Sequence, residues 1–155
     1  MTALARIQFE ASLSSLTFTV PVEPRGWARA RRRGGTYFLD PETVAFRNAV
    51  IAFATQAMVR HSAFDEAVAM TVISILSIPA SWSRTRRAAA LAGTIRPTAK
   101  PDVDNLAKGV CDALNGIVYR DDAQVVDLRS IKFYGARPEV QVAVSPIREG
   151  SIAGR

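Results

Sequence analysis

The chain has 155 residues, of which 48% are hydrophobic and 22% charged, and its formal net charge is +6 at pH 7. This length and composition are typical of one globular domain and exclude a disordered chain. A single cysteine and a single histidine exclude an intrachain disulfide and a thiolate metal cluster, and they leave little for a zinc site or a catalytic triad. The positive charge favours a polyanionic partner, usually nucleic acid and more rarely a membrane surface.

The two ends of the chain are interpreted as lying outside the folded domain. Residues 1–14 lack a long apolar segment and are predicted to be a leader, not a signal peptide. No apolar run approaches the roughly 20 residues that span a bilayer, so a cytoplasmic protein without membrane contact is expected. The domain is predicted over residues 15–147, followed by a tail over 148–155.

Apolar periodicity, prolines and glycines predict a series of elements along the chain. In order these are a strand over Ser15–Pro24, a mobile basic loop over Arg25–Gly35, a helix from Pro41 to about His61, a strand over Ala67–Ile78, a helix over Ser81–Ala92 capped by Ser81, a helix from about Asp102 to Asn115, and strands over Val125–Phe133 and Pro138–Pro146. The order β-α-β-α-α-β-β predicts a single small α/β (α+β) domain with a mixed sheet flanked by helices.

The segment from Lys100 to Asp127 carries six aspartates in this basic chain. At about 100° per residue, its helix has an apolar stripe for packing, formed by Val103, Leu106, Ala107, Val110 and Leu114. Asp104, Lys108 and Asp112 follow at i, i+4 and i+8 and share the neighbouring face. Asp102, at the start of the helix, can point the same way as Asp104.

These acidic residues allow two interpretations. Taken singly, Asp102 is an N-cap contributing about 1 kcal/mol, Asp104 and Lys108 form an i,i+4 ion pair, and Asp121-Asp122 is a turn. Taken together, carboxylates that converge repel one another, and a cation relieves the repulsion. Mg²⁺ accepts a few carboxylate oxygens and completes its shell with water and phosphate. Such a site on a basic protein suits a nuclease.

The order of the residues adds a resemblance to a known family. Asp102-Val103-Asp104-Asn105-Leu106-Ala107-Lys108 is followed by Asp112-Ala113-Leu114-Asn115-Gly116 and by Asp121-Asp122-Ala123-Gln124-Val125. This D-x-D-N-L-x-K, D-A-L-N-G and D-D-A-Q-V pattern resembles the RusA family, small Holliday-junction resolvases encoded mostly by phages and prophages. Weaker similarity extends from about Phe18 to Val144.

The resemblance implies a homodimeric, Mg²⁺-dependent endodeoxyribonuclease that makes paired symmetric nicks in four-way DNA junctions during recombination and repair, with Mn²⁺ as a substitute metal. The family's metal-binding aspartates correspond to Asp102, Asp104 and Asp122, and its essential lysine to Lys108. Asp121 matches the adjacent acidic position and would share the metal. Such an enzyme would be bacterial or phage-encoded and associated with the nucleoid. The basic N-terminal region departs from the family in its arginine content and in Trp27.

Basic residues outside the acidic motif are the candidates for DNA binding, because flexible arginines gain affinity by displacing counterions from phosphates. They are Arg25, Arg29, Arg31, Arg32, Arg33, Arg47, Arg96 and Lys100. For the arginine run, the alternative is a solvated charge cluster. Arg47 either pairs with Asp40 or Glu42 or reaches a phosphate. Trp27 either stacks on unpaired bases or packs on the protein.

Two alternatives to junction resolution remain at this point. One is a non-catalytic basic module whose aspartates are structural, and the other is a less selective structure-specific nuclease. The complete set of acidic positions and the lysine favours an enzyme.

Overall fold

The computed structural model describes residues 15–27 and 31–147. Six strands and three helices form, in chain order, β1 (Leu16–Val20), β2 (Arg31–Arg33), β3 (Thr36–Phe38), α1 (Pro41–Ala57), β4 (Val68–Ser77), α2 (Arg84–Leu91), α3 (Val103–Leu114), β5 (Val125–Gly135) and β6 (Glu139–Pro146). Short 3-10 turns follow α1 and precede β5. The predicted leader, the C-terminal tail and Arg29 lie outside the described residues.

A four-stranded mixed sheet in the order β1-β6-β4-β5 organises the domain. β6 pairs antiparallel with both β1 and β4, whereas β4 and β5 run parallel over ten residue pairs. A parallel pair needs a long crossover, which α2, α3 and their connections provide. The prediction of a small α+β domain with a mixed sheet is confirmed.

The hydrophobic core lies between one face of this sheet and helices α1 and α3. β4 carries Val68, Met70 and Val72 into that core at alternate positions, and these side chains are at most 2% exposed. Helix α1 begins with Pro41, and the Asp40 carboxylate caps it by accepting a hydrogen bond from the Thr43 backbone N–H at 3.1 Å. The central strand and the first helix therefore form where the sequence predicts them.

Some local predictions were wrong. Residues 31–33 of the predicted basic loop form β2, which pairs with β3 just after the loop in a hairpin. Gly34 and Gly35 at its turn have positive φ values of 59° and 86° that suit a tight connection. Ser83, not Ser81, caps α2, because its hydroxyl accepts the Arg86 N–H. Val103, predicted to pack inward, is 38% exposed because it occupies the first turn of α3.

None of the helices in the described part of the chain is long and apolar enough to cross a membrane.

Candidate active site

The start of helix α3 carries two carboxylates that the fold leaves in solvent. Asp102 occupies the N-cap position, yet its side chain makes no capping hydrogen bond. Asp104 lies in the first turn and is exposed. Within residues 15–27 and 31–147, neither carboxylate has a hydrogen-bonding or ion-pairing partner. The interpretation of Asp102 as an ordinary capping residue is therefore wrong, and both groups are available to a ligand.

Lys108 lies one turn further along α3 and pairs with a different aspartate from the one predicted. Its Nζ is 3.5 Å from Asp112 Oδ1, whereas the sequence interpretation paired it with Asp104. Nζ also lies 5.3 Å from the centre of the Trp27 ring, within the range of a cation–π contact. The Lys108 side chain is 49% exposed, so an ion pair and an aromatic face hold it while its ammonium stays accessible.

The Arg25–Trp27 segment brings this aromatic ring to the helix by crossing α3. The Trp27 backbone N–H donates to the Asn105 carbonyl oxygen at 2.8 Å. Gly26 permits the close approach, because a Cβ there would lie 3.2 Å from Asn105 Cβ. The Arg25 guanidinium pairs with the Glu42 carboxylate on α1 and so fastens the segment to a second helix.

A cleft of about 650 Å³ opens on the Asp102 side of the Arg25–Trp27 segment, and we call it the first cleft. Charged side chains of both signs surround it. Its lining includes Glu23, Arg25, Trp27, Lys100, Asp102 and Asn105. Basic groups next to an unpaired carboxylate suit the binding of a phosphate together with a cation.

Strand β5 holds the start of α3 in place. Ser130 Oγ donates to the Val103 carbonyl oxygen at 2.9 Å. Lys132 Nζ donates to the carbonyl oxygens of Ala99 and Pro101 at 2.8 and 2.9 Å. These contacts fix the backbone on both sides of Asp102, so β5 acts as a positioning element for the carboxylates.

The turn before β5 gives its two neighbouring aspartates, Asp121 and Asp122, different surroundings. Asp121 Oδ1 accepts the Ala123 N–H at 2.8 Å and forms a capping box with Gln124. The Gln124 side chain accepts from the backbone N–H groups of Arg120 and Asp121 and donates to two carbonyl oxygens before β4. One Asp121 oxygen is thus engaged in the turn. Asp122, which is half-buried, has no such partner within the described ranges.

We expect Gln124→Ala to lower the free energy of unfolding by about 2–3 kcal/mol, since a typical hydrogen bond contributes about 1 kcal/mol and this side chain makes four. Thermal or urea unfolding measures the change. Gln141→Ala is the matched control, because among the described residues that half-buried amide donates a single side-chain hydrogen bond, to Glu139. Equal effects of the two substitutions would contradict an anchoring role for Gln124.

Asp122 lies beside the middle of α3. Burial raises the pKa of the Cys111 thiol from 9.0 to about 11, and the negative charge of the nearby Asp122 is the next largest cause of this rise. Burial likewise raises the pKa of Tyr119, whose hydroxyl donates to the Cys111 carbonyl oxygen at 3.0 Å. Cys111 is only 7% exposed, as the packing interpretation of this residue requires. At about 100° per residue, Cys111 and Asp104 point in nearly the same direction from α3, about two turns apart.

The donors at this site fit a hard divalent cation in an open arrangement. Across the residues that the structure describes, no three or more Asp, Glu, His or Cys side chains lie close enough together to hold a metal ion. Asp102, Asp104 and Asp122 are therefore not gathered into a closed ligand set. Mg²⁺ is usually held by one or two carboxylates and completes its shell with water and substrate phosphate. The carboxylate oxygens at the start of α3, which have no partner in the part of the chain that the structure describes, match that requirement.

The cations predicted to bind DNA lie in different surroundings. Arg25 and Lys100 line the first cleft, and Arg96 lies 3.8 Å over the Phe133 ring. Arg47 is exposed, and of its two alternatives the pairing with Asp40 or Glu42 does not form: Glu42 pairs with Arg25, and Asp40 caps α1. Arg31–Arg33 form β2.

Sequence reasoning missed the residues that position the site. Gln124, Ser130 and Lys132 each donate to a backbone carbonyl of a segment distant in the sequence. A capping-box pattern, D-x-x-Q at Asp121–Gln124, was available in the sequence as a signal for the first of them. Lys132 belongs to the weaker part of the family resemblance but was given no role, and nothing in the local pattern of β5 indicated Ser130.

The comparisons with known proteins cover almost all of this structure. A family model described as Endodeoxyribonuclease RusA matches residues 20–145, a range that includes each aspartate and lysine discussed above. A curated relative, the "Uncharacterized protein YqaN" of Bacillus subtilis (strain 168), is 36% identical over 140 residues, which is 87% of this chain and 99% of the relative.

Proposed function

Since this chain belongs to the RusA family of endodeoxyribonucleases, we propose that it is a Mg²⁺-dependent homodimer that resolves four-way DNA junctions by paired symmetric nicks. It would act in DNA recombination and repair, in the cytoplasm. The observation that carries the proposal is the start of α3, where the D-x-D-N-L-x-K motif presents two carboxylates that have no partner among the described residues. They lie beside a cleft whose lining includes Arg25 and Lys100.

Asp102 and Asp104 would hold the metal. Asp122, on the turn before β5, would be drawn in as a further ligand when metal and DNA bind, because the three carboxylates are not gathered in the described structure. Mg²⁺, with Mn²⁺ as a substitute, would neutralise charge on the cut phosphate and favour ionisation of the attacking water. Asp121 is a weaker candidate for sharing the metal, because one of its oxygens caps the turn.

Lys108 would supply a positive charge next to the carboxylates. Its ammonium is half-exposed and points away from the core, one turn beyond Asp104. A cation held there in advance stabilises the negative charge that develops on the phosphate during hydrolysis. Contacts with Asp112 and Trp27 hold the Lys108 side chain in this position before the DNA binds. The reaction would therefore not have to fix its conformation.

The basic residues would bind the DNA backbone around this site. Arg25 and Lys100 line the cleft that adjoins Asp102, where they would contact phosphates next to the cut. Arg96, Arg47 and the arginines of residues 29–33 would extend the contact outwards. Because a junction is cut on two strands related by two-fold symmetry, a two-fold dimer with one acidic site for each nicked strand matches the substrate.

A cleavage assay with three substrates tests the proposal. Purified protein is incubated with a synthetic four-way junction, a linear duplex and a single strand, with and without Mg²⁺, and light scattering measures its mass. We expect the protein to make paired nicks in the four-way junction and in neither of the other substrates, and to do so only when Mg²⁺ is present. We expect light scattering to give the mass of a dimer. Equal cutting of all three substrates would indicate a less selective nuclease, and binding without any cutting would indicate a non-catalytic module. A strict monomer that makes paired nicks would contradict the dimer.

We expect simultaneous replacement of Arg31, Arg32 and Arg33 by alanine to weaken junction binding and to flatten its dependence on salt. Each phosphate contact contributes about 0.9 to the slope of log K against log salt, so three lost contacts lower the slope by about 2.7. A salt titration of junction binding measures this. The same replacement of Arg84, Arg86 and Arg87 on α2 is the control. An unchanged slope would remove β2 from the DNA-binding surface.

A further inference from the structure

A second cleft, of about 420 Å³, lies on the other side of the Arg25–Trp27 segment, between α1 and α3. Its walls are largely apolar and aromatic, with a few charged and amide groups. They include Trp27, Leu39, Phe46, Arg47, Ile51 and Asp112. The volume lies within the roughly 300–1,000 Å³ range of pockets for small organic groups. The proposed hydrolysis uses some of these lining residues but places no part of the DNA in the cleft itself.

The composition of the second cleft suits a flat aromatic ring with a polar edge. Trp27 is 37% exposed and offers a face for stacking, while Phe46 and Ile51 form apolar walls. Asp112 and Asn115 place a carboxylate and an amide in the same lining. Nucleobases combine these two requirements, because each has two stacking faces and a hydrogen-bonding edge.

The position of the second cleft links it to the cut phosphate. Two of its lining residues, Trp27 and Asp112, are the same two that hold Lys108. A group bound in the cleft would therefore lie next to the ammonium that faces the phosphate. Arg47, an exposed cation in the lining, matches the negative charge of the backbone that a base would bring with it.

We propose that the second cleft binds one nucleobase that is unstacked from the branched DNA strand beside the cut phosphate. This inference rests on the proposed function and extends it to the base next to the cut. Unstacking is least costly where pairing is already disturbed, as at a branch point. A base held in this way would fix the register of the strand relative to Lys108.

An abasic scan of the junction tests the inference. Four-way junctions that lack a single base, at successive positions on both sides of the cut, are titrated against a cutting-deficient Asp104→Asn protein by fluorescence polarisation. We expect one position at which loss of the base weakens binding by roughly five- to a hundredfold, the range for one base stacked on an aromatic side chain. In parallel, the unmutated protein, which keeps Asp104, is assayed for cutting of the unmodified junction.

Filling the cleft should remove this sensitivity. Ile51→Trp is made in the same Asp104→Asn background. We expect this double variant to bind the complete junction as weakly as the Asp104→Asn protein binds the abasic junction. Removal of the base should then cause no further loss of its binding. Ala52→Trp adds the same side chain to the exposed side of α1 and should keep the full difference. Leu39→Trp, at a position 41% exposed in the lining, serves the same purpose where Ile51→Trp does not fold.

Two results would overturn the inference while leaving the proposed function intact: a flat abasic scan in a protein that cuts junctions, or an abasic effect that persists in the filled variants. A protein that neither binds nor cuts four-way junctions would overturn the proposed function and this inference with it.

Discussion

We expect Asp104→Asn to lower the rate of junction cutting by at least about a thousandfold, because a metal contributes several kcal/mol of transition-state stabilisation that this ligand helps to hold. The carboxylate lies in the first turn of α3, exposed and without a partner in the described part of the chain. Its replacement by the isosteric amide therefore breaks no hydrogen bond or ion pair of the described residues. Single-turnover cleavage of a labelled junction measures the rate.

The same substitution should leave folding and binding nearly unchanged. An acid in the first turn of a helix contributes at most about 1 kcal/mol through the helix dipole. Junction affinity should stay level or rise, because a negative charge next to phosphate is removed. Loss of cutting without loss of binding would assign Asp104 to chemistry rather than to structure.

Asp127→Asn is the matched control for this experiment. Asp127 is a further exposed aspartate of the acidic segment, but it lies on β5 and points to the opposite face of the strand from Ser130 and Lys132. We expect Asp127→Asn to cut at close to the normal rate. An Asp104→Asn protein that cuts as well as this control would remove Asp104 from the metal site.

The second large effect is expected from Lys108→Ala, which should lower the cutting rate by about 100- to 1,000-fold, the range for loss of one preorganised charge-stabilising group. The free energy of unfolding should change by less than about 1 kcal/mol, because the ion pair with Asp112 is partly exposed. Cleavage kinetics and thermal unfolding on the same preparation measure both quantities.

Asp112→Asn distinguishes a role in chemistry from a role in the ion pair. Both substitutions remove the ion pair between Lys108 and Asp112, whose charged atoms are 3.5 Å apart, but only Lys108→Ala removes the ammonium. We expect a rate loss of at most about tenfold for Asp112→Asn, since it loosens the lysine without deleting it. Equal rate losses in the two variants would favour a structural ion pair over a direct contact of Lys108 with the phosphate.

Local sequence patterns determined much of this protein. The continuous, β-branched apolar run of β4 and the 3.6-residue periodicity of α3 depend on neighbours within a few positions, so they identify these elements before any packing is known. The same periodicity places Asp104, Lys108 and Asp112 on one side of α3. The order of these residues, continued by Asp121-Asp122, was sufficient to indicate the family.

The tertiary structure alone decided which of these groups interact. Spacing makes Asp104 and Asp112 equivalent partners for Lys108, and the pairing with Asp112 forms where Trp27, from a distant segment, covers the lysine. Gln124 and Lys132 reach backbone groups more than 30 positions earlier in the chain, which no periodicity encodes. The parallel pairing of β4 with β5 also depends on packing between elements, because several strand orders satisfy the local backbone preferences equally well. The two clefts beside the Arg25–Trp27 segment form only once these elements have packed together.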